Sequence, residues 1–330
     1  MGYPIEKKLV VAVASSALFD LRVPDEVFRS QGEAAYRAFA RAHEAEALEP
    51  GTAFPFVRQL LALNKVSDLD SPVEVVLLSH NDADTGLRVM NSVRSHGLGI
   101  TRGSFCGGLD PFRYMTSYGA VLYLSDNEKA VEKAIARGLP AGRVLPPPPV
   151  THEEGAELRI AFDFDGVLAD DSAEAVYQRQ GLSAFHKTEH ERAHDAMAPG
   201  PLQPLLQRLG EIQQREWRAK DKNGDYERAL KIAIITARNA PADARLVETL
   251  RAWGVQADET HFTGGIEKRR FLDVFRPHVF FDDQMAHLAG AALSVPSVHV
   301  PFGVANRASA ASSGGDVPGG PRNDEATPER

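Results

Sequence analysis

The chain has 330 residues, enough for about two domains on length alone, and its 43% hydrophobic and 25% charged residues are the ordinary profile of a globular protein. A formal net charge of −8 gives no electrostatic footprint for nucleic acid or an anionic membrane, and no apolar run approaches the roughly 18 residues a membrane span needs. The single cysteine, Cys106, excludes an internal disulfide and fits a reducing compartment; with no signal-peptide or myristoylation pattern at the N-terminus, a cytoplasmic location is expected.

Residues 9–13 read as a strand, followed by a polar, helix-forming region to about Asn64 and a second strand from Val73 to Leu78, ending at Ser79. Asp84 to His96 carries apolar residues at helical spacing (Leu87, Met90, Val93) and stops at Gly97. A strand from Ala120 to Leu124 runs into Ser125, and a helix follows from Asn127 to Ala136. Pro146 to Pro149 is a stiff four-proline run and the best linker in the chain.

Beyond the prolines the order of elements begins again. A short apolar run from Ile160 to Phe162 is a buried strand that ends on Asp163 and Asp165, with Gly166 permitting a sharp turn. Residues 172–230 are too long for a simple crossover; with helical patterns from Leu202 to Trp217 they are expected to form a cap over the site. Lys231 to Ile235 is a strand ending at Thr236-Ala-Arg238, and Phe262 to Lys268 is a glycine-rich loop. Pro277 to Phe281 is a strand delivering Asp282 and Asp283. From Ala308 the chain is rich in Gly, Ser, Pro and charge and is expected to be disordered.

The two halves also match residue by residue. Gly32 and Gly181 close similar stretches at an offset of 149, which also lays residues 9–13 on the strand leading to Asp163. Ser79 and Thr236, Gly97 and Gly254, and Phe105-Cys-Gly-Gly108 and Phe262-Thr-Gly-Gly265 match at an offset of 157. The reading is a duplication into two α/β domains of one fold: a degenerate domain at 1–147, a linker at 148–157, a second domain at 158–307 with its cap at about 172–230, and a tail at 308–330. Opposite Asp163, Asp165, Lys268 and Asp282 the first half has Ala14, Ser16, Pro111 and Ser125, so it lacks the groups for metal or phosphoryl chemistry.

In an open α/β sheet, ligands sit outside the carboxyl ends of the strands, so the acids at 163 and 165 point at a site. Paired acids there can hold a divalent cation, or one can attack phosphorus while the other moves protons. The hydroxyl of Thr236 and the free N–H groups beyond it can hold phosphate oxygens, and Lys268 adds an ammonium. Singly these could be an acidic turn, a capping threonine and a surface lysine. His186, His190 and His194 fall at helical spacing, but no acid or thiol cluster completes a metal site around them.

In this order the four features resemble the haloacid-dehalogenase-like superfamily of phosphotransferases. The chain is more closely similar to the cytosolic type I 5′-nucleotidases, which prefer AMP, through Ala14-Ser-Ser-Ala-Leu-Phe-Asp-Leu21, Ile100-Thr-Arg-Gly103, Glu191-Arg-Ala-His-Asp195, Leu250-Arg-Ala-Trp-Gly254 and Phe280-Phe-Asp-Asp-Gln284. It departs at Gly265-Ile-Glu-Lys268, where the family has Gly-Ala-Pro-Lys, leaving Glu267 beside the lysine. The resemblance implies two tandem Rossmann-like domains and hydrolysis of a nucleoside 5′-monophosphate. It makes Asp163 the nucleophile that takes the phosphoryl group, and Asp165 the acid and base. Asp163, the carbonyl of Asp165 and Asp282 would hold Mg²⁺, with Asp283 orienting them, and Thr236, Ala237 and Lys268 would bind phosphate. Arg238 and His194 are candidate nucleotide contacts. Asn81, Asp82, Arg88 and Arg102 in the first half are candidates for a shared substrate pocket or a nucleotide effector site. Phosphatase action on a non-nucleotide phosphomonoester and a nucleotide-responsive binding protein are the alternative readings, and homo-oligomerisation stays open.

Overall fold

Short apolar runs become most of the strands, and the amphipathic segments between them become the helices that cover the sheet. The computed structural model describes residues 2–66, 69–146 and 157–306. Nearly all of the expected linker and the whole expected tail lie outside the described residues.

The first half runs β1 (Leu9–Val13), α1 (Ser15–Leu18), α2 (Arg22–Ala42), α3 (Phe54–Ala62), β2 (Val73–Ser79), α4 (Ala83–Ser95), β3 (Arg102–Phe105), α5 (Met115–Tyr118), β4 (Leu122–Ser125), α6 (Glu128–Ala136) and β5 (Ala141–Val144). The second runs β6 (Leu158–Phe162), α7 (Ser172–Glu191), α8 (Gln203–Lys222), β7 (Leu230–Thr236), α9 (Asp243–Trp253), β8 (Glu259–Phe262), α10 (Arg269–Phe275), β9 (Val279–Asp282), α11 (Met285–Ala291) and β10 (Ser297–His299). β1 and β2 are buried along their whole length, as expected of parallel strands covered on both faces.

All ten strands join one sheet in the order β3-β2-β1-β4-β5-β10-β9-β6-β7-β8. Pairing is parallel within each half. The halves meet at β5 and β10, which pair antiparallel through Val144–Val298 and Arg143–His299. The protein is therefore α/β with a mixed, mostly parallel, Rossmann-like sheet. Because the seam is antiparallel, the carboxyl ends of β6–β10 lie on one edge of the sheet and those of β1–β5 on the other.

The same local devices recur in both halves. α2 and α7 each break at a glycine, Gly32 (φ 83°, ψ −179°) and Gly181 (φ 81°, ψ 179°). The N–H of Leu48 donates to Ser92 Oγ at 2.9 Å, and that of Met197 to Thr249 Oγ1 at 3.0 Å. One hydrophobic core draws on both halves, and Phe56 of α3 meets Phe281 of β9 edge-on at 6.5 Å. α8, expected within the cap, buries Leu205, Leu206, Leu209 and Ile212 in that core. Of the segment assigned to the cap, it is therefore a covering helix of the sheet. No helix among the described residues is long and apolar enough to cross a membrane.

Candidate active site

β6 ends where its hydrophobic run ends, and Asp163 N–H donates to Phe281 O at 2.8 Å, carrying the pairing one residue further. Asp163 is thereby fixed beside Asp282, the last residue of β9, and both are buried. Gly166 turns the chain at φ 74°, and a Cβ there would lie 2.6 Å from Asp283 Oδ2. Only glycine lets that carboxyl group pack beneath the turn. Lys268, just before α10, places Nζ 2.7 Å from Asp163 Oδ2 and 2.7 Å from Asp282 Oδ2. Thr236 ends β7; its Oγ1 accepts from Arg238 N at 3.2 Å and its carbonyl from Thr263, so the β7 turn is braced from both sides. Ala237 is exposed beside it.

Three buried carboxylates thus face one buried ammonium. Burial first, then Asp282, push Asp163 up to about 6 against the pull of Lys268. Burial and the charges of Asp163 and Asp282 push Asp283 up to about 9. Burial also disfavours the charge of Asp282, but Lys268 and His287 outweigh it and hold that carboxyl below its usual range. Burial disfavours the charge of Lys268 as well, and Asp163 and Asp282 more than restore it.

This cluster carries more negative than positive charge in a place where unbalanced charge is costly. Asp283 Oδ1 is buried with no hydrogen-bond partner among the described residues. Asp163, Asp282 and His287 each offer a ligand atom, all within 4.8 Å of one another. Oxygen-rich donors with surplus negative charge fit a divalent cation. His287, whose Nδ1 stands 3.3 Å from Asp282 Oδ1, was missed in the sequence, although it lies five residues after Asp282 on α11.

Asp165 has a partner of its own. Arg238 Nε donates to its Oδ2 at 2.7 Å and Nη2 to its Oδ1 at 2.7 Å. Arg238 Nη1 donates to Glu189 Oε2 and, at 3.1 Å, to Ala242 O, while Nη2 also reaches Met197 Sδ at 3.0 Å. Glu189, on α7, is itself buried and accepts from Arg245 Nη1 at 2.6 Å. Arg238 has five N–H donors and all are committed, so the expected nucleotide contact at Arg238 is corrected: it is an internal clamp. Glu189 was also missed, because a glutamate in a polar helix carries no sign of burial.

The remaining candidates are not gathered here. His194 is exposed in the turn after α7. Arg102 stands at the start of β3, its Nη1 2.7 Å from Glu74 Oε1 and its guanidinium stacked on Tyr3 at 3.6 Å. Asp82 caps α4, accepting from Thr85 N at 2.8 Å, and pairs with Arg37. Asn81 and Arg88 line a small cavity between α2 and α4 with Tyr36, Thr85 and Leu48. Asn81 and Asp82 follow the carboxyl end of β2, at the end of the sheet opposite Asp163.

The fold and this cluster define an α/β protein with an acidic, lysine-bridged site at the carboxyl ends of its strands. The chain belongs to the 5′-nucleotidase family, whose model matches residues 1–307. Human cytosolic 5′-nucleotidase 1B is 33% identical over 289 residues, covering 86% of this chain and 47% of that protein. The chain thus spans about half the length of this curated relative. A solved structure of histidinol dehydrogenase from Elizabethkingia anophelis aligns over 88% of this chain and 52% of that one, at 9% identity and a TM-score of 0.21. A similarity that low carries no argument.

Proposed function

We propose that the protein is a magnesium-dependent 5′-nucleotidase of the cytoplasm that releases phosphate from nucleoside 5′-monophosphates, AMP foremost. The observation that carries the reading is the Lys268 ammonium held between Asp163 and Asp282 at the ends of adjacent strands, in a chain of this family.

In the proposed reaction an oxygen of Asp163 attacks the 5′-phosphorus. The new O–P bond forms as the P–O5′ bond breaks, and O5′ takes the electron pair and a proton from Asp165. Water then attacks the phosphorus of the aspartyl-phosphate and gives its proton to Asp165, and the bond to Asp163 breaks to restore the carboxylate. Lys268, Thr236 and the N–H groups around Ala237 hold the phosphate oxygens. Asp163, Asp282 and the carbonyl of Asp165 would hold the cation, which supplies the positive charge a dianionic phosphate needs beside a carboxylate. Asp283 packs beneath the turn at Gly166, where it would orient the groups around the cation.

The domain reading rests on recurring devices. The matched strand order, the glycine breaks in α2 and α7 and the paired Leu48 and Met197 hydrogen bonds support two copies of one unit, the second catalytic. α7 is the proposed cap. For a nucleotide effector the candidate place is the surface around Arg88, since the cavity beside it has room for about one water. The test is phosphate release across a panel of nucleoside monophosphates and other phosphomonoesters, with and without Mg²⁺. Release that ignores Mg²⁺, or is no faster from nucleotides than from sugar phosphates, overturns the reading.

A further inference from the structure

We propose that Arg238 positions Asp165 for proton transfer and that Glu189 holds Arg238 in that role, coupling the acid–base group to α7. The inference rests on the proposed reaction and names a part of it carried by neither metal nor phosphate ligands.

The geometry is a two-pronged fork: Nε and Nη2 each meet one oxygen of Asp165 at 2.7 Å. A bidentate arginine fixes both the place and the plane of a carboxyl group, which a point charge cannot do. Behind the fork, Nη1 is anchored on Glu189, which α7 carries into the interior. Asp165 therefore has one rigid contact, and that contact runs through the proposed cap. Proton transfer to a leaving oxygen demands heavy-atom distances within hydrogen-bond reach, so a loose carboxyl group is a poor acid.

A buried ion-pair chain could equally serve only to hold α7 in place. The first half of the molecule separates the two roles. At the established offsets Arg245 corresponds to Arg88, Arg238 to Asn81 and Glu189 to Ala40. Arg88 keeps a purely structural bond: its Nε donates to Glu46 O at 3.2 Å, as Arg245 Nε donates to Asp195 O at 3.0 Å. Arg238 and Glu189 have no counterpart there, and the half that lacks them also lacks the two acids. That half still builds its helix break, its strands and the Leu48 hydrogen bond. Arg245 goes with the fold; Arg238 and Glu189 go with the carboxylates.

The test is the double variant Arg238→Asn with Glu189→Ala, which installs the pair the first half already folds around. Glu189→Ala also takes the Nη1 partner from buried Arg245, so the melting temperature is expected to fall, and the readout is a ratio of two activities that loss of folded protein leaves unchanged. That ratio sets kcat/KM for AMP against that for adenosine 5′-phosphorothiolate, in which sulfur replaces the bridging oxygen and leaves without needing a proton. General acid catalysis contributes about 10² to 10⁴ in rate, so AMP should lose about 100-fold and the phosphorothiolate less than about fivefold. Equal losses on both substrates, or no loss on either, overturn the inference. Asp165→Asn run alongside tells the two levels apart. If that variant also fails to discriminate between the substrates, the acid–base assignment itself falls and takes the inference with it.

Discussion

Asp163 and Lys268 are both buried, 4% exposed each, yet both face reactants in the proposed chemistry, so their surroundings set what each substitution does. Asp163→Asn should leave phosphate release below about 1% of wild type, within the loss expected for a covalent catalyst. It should not lower the melting temperature of the cation-free protein, because it removes one of three carboxylates crowded around a single ammonium; an activity assay and a thermal melt read both outcomes. Asp282→Ala should move the midpoint of a Mg²⁺ titration to higher concentration. In wild type, Mg²⁺ at a hundredfold excess over Kd should add about 2.7 kcal/mol of stability, visible as a rise in melting temperature that Asp282→Ala loses. The residues of the lysine-bridged cluster were legible because their types stand in a fixed order, Asp163 and Asp282 at strand ends and Lys268 just before a helix. Arg238 was not: a guanidinium two residues after Thr236 reads as a ligand until its five donors are accounted for. Glu189 and His287 depend on which way a helix faces, which residue type does not state.

At the scale of elements, α7 depends on one backbone conformation. Gly181, at φ 81° and ψ 179°, sits where essentially only glycine is stable, and a side chain there costs of order 1–3 kcal/mol. Gly181→Ala should lower the urea midpoint and also reduce activity, since residues 182–191 carry Glu189 toward Arg238. The equivalent Gly32→Ala should lower stability alone, and assays of both variants under one set of conditions compare them directly. Most strands were legible from their apolar runs, since a parallel strand buried on both faces shows little alternation. α8 was assigned to the wrong layer because an apolar stripe states that a helix face is covered, not by what. Its partner is the shared core.

At the scale of the molecule, the seam between β5 and β10 is short and tightly fitted. A Cβ on Gly142 would fall 2.3 Å from Val298 Cγ1, so Gly142→Val should cost about 1–3 kcal/mol of overpacking. Because the core is continuous across the seam, hydrogen exchange should report the loss in both halves together; protection lost in one half alone would contradict a shared core. The repeat is a proposal drawn from collinear matches in the chain. How the halves abut was not legible there, because nothing local to β5 specifies an antiparallel partner more than 150 residues away. That antiparallel seam has a thermodynamic corollary. A ligand seated beside Arg88 and a nucleotide at Asp163 would approach from opposite edges, about 15 Å or more of strand apart, with no contact or mutual screening between them. Influence of either on the other would be a coupling free energy carried by the interior, and such coupling is reciprocal. Whatever factor an effector applies to the Kd of an unreactive substrate analogue, the analogue must return to the Kd of the effector, and two titrations run in opposite order measure it.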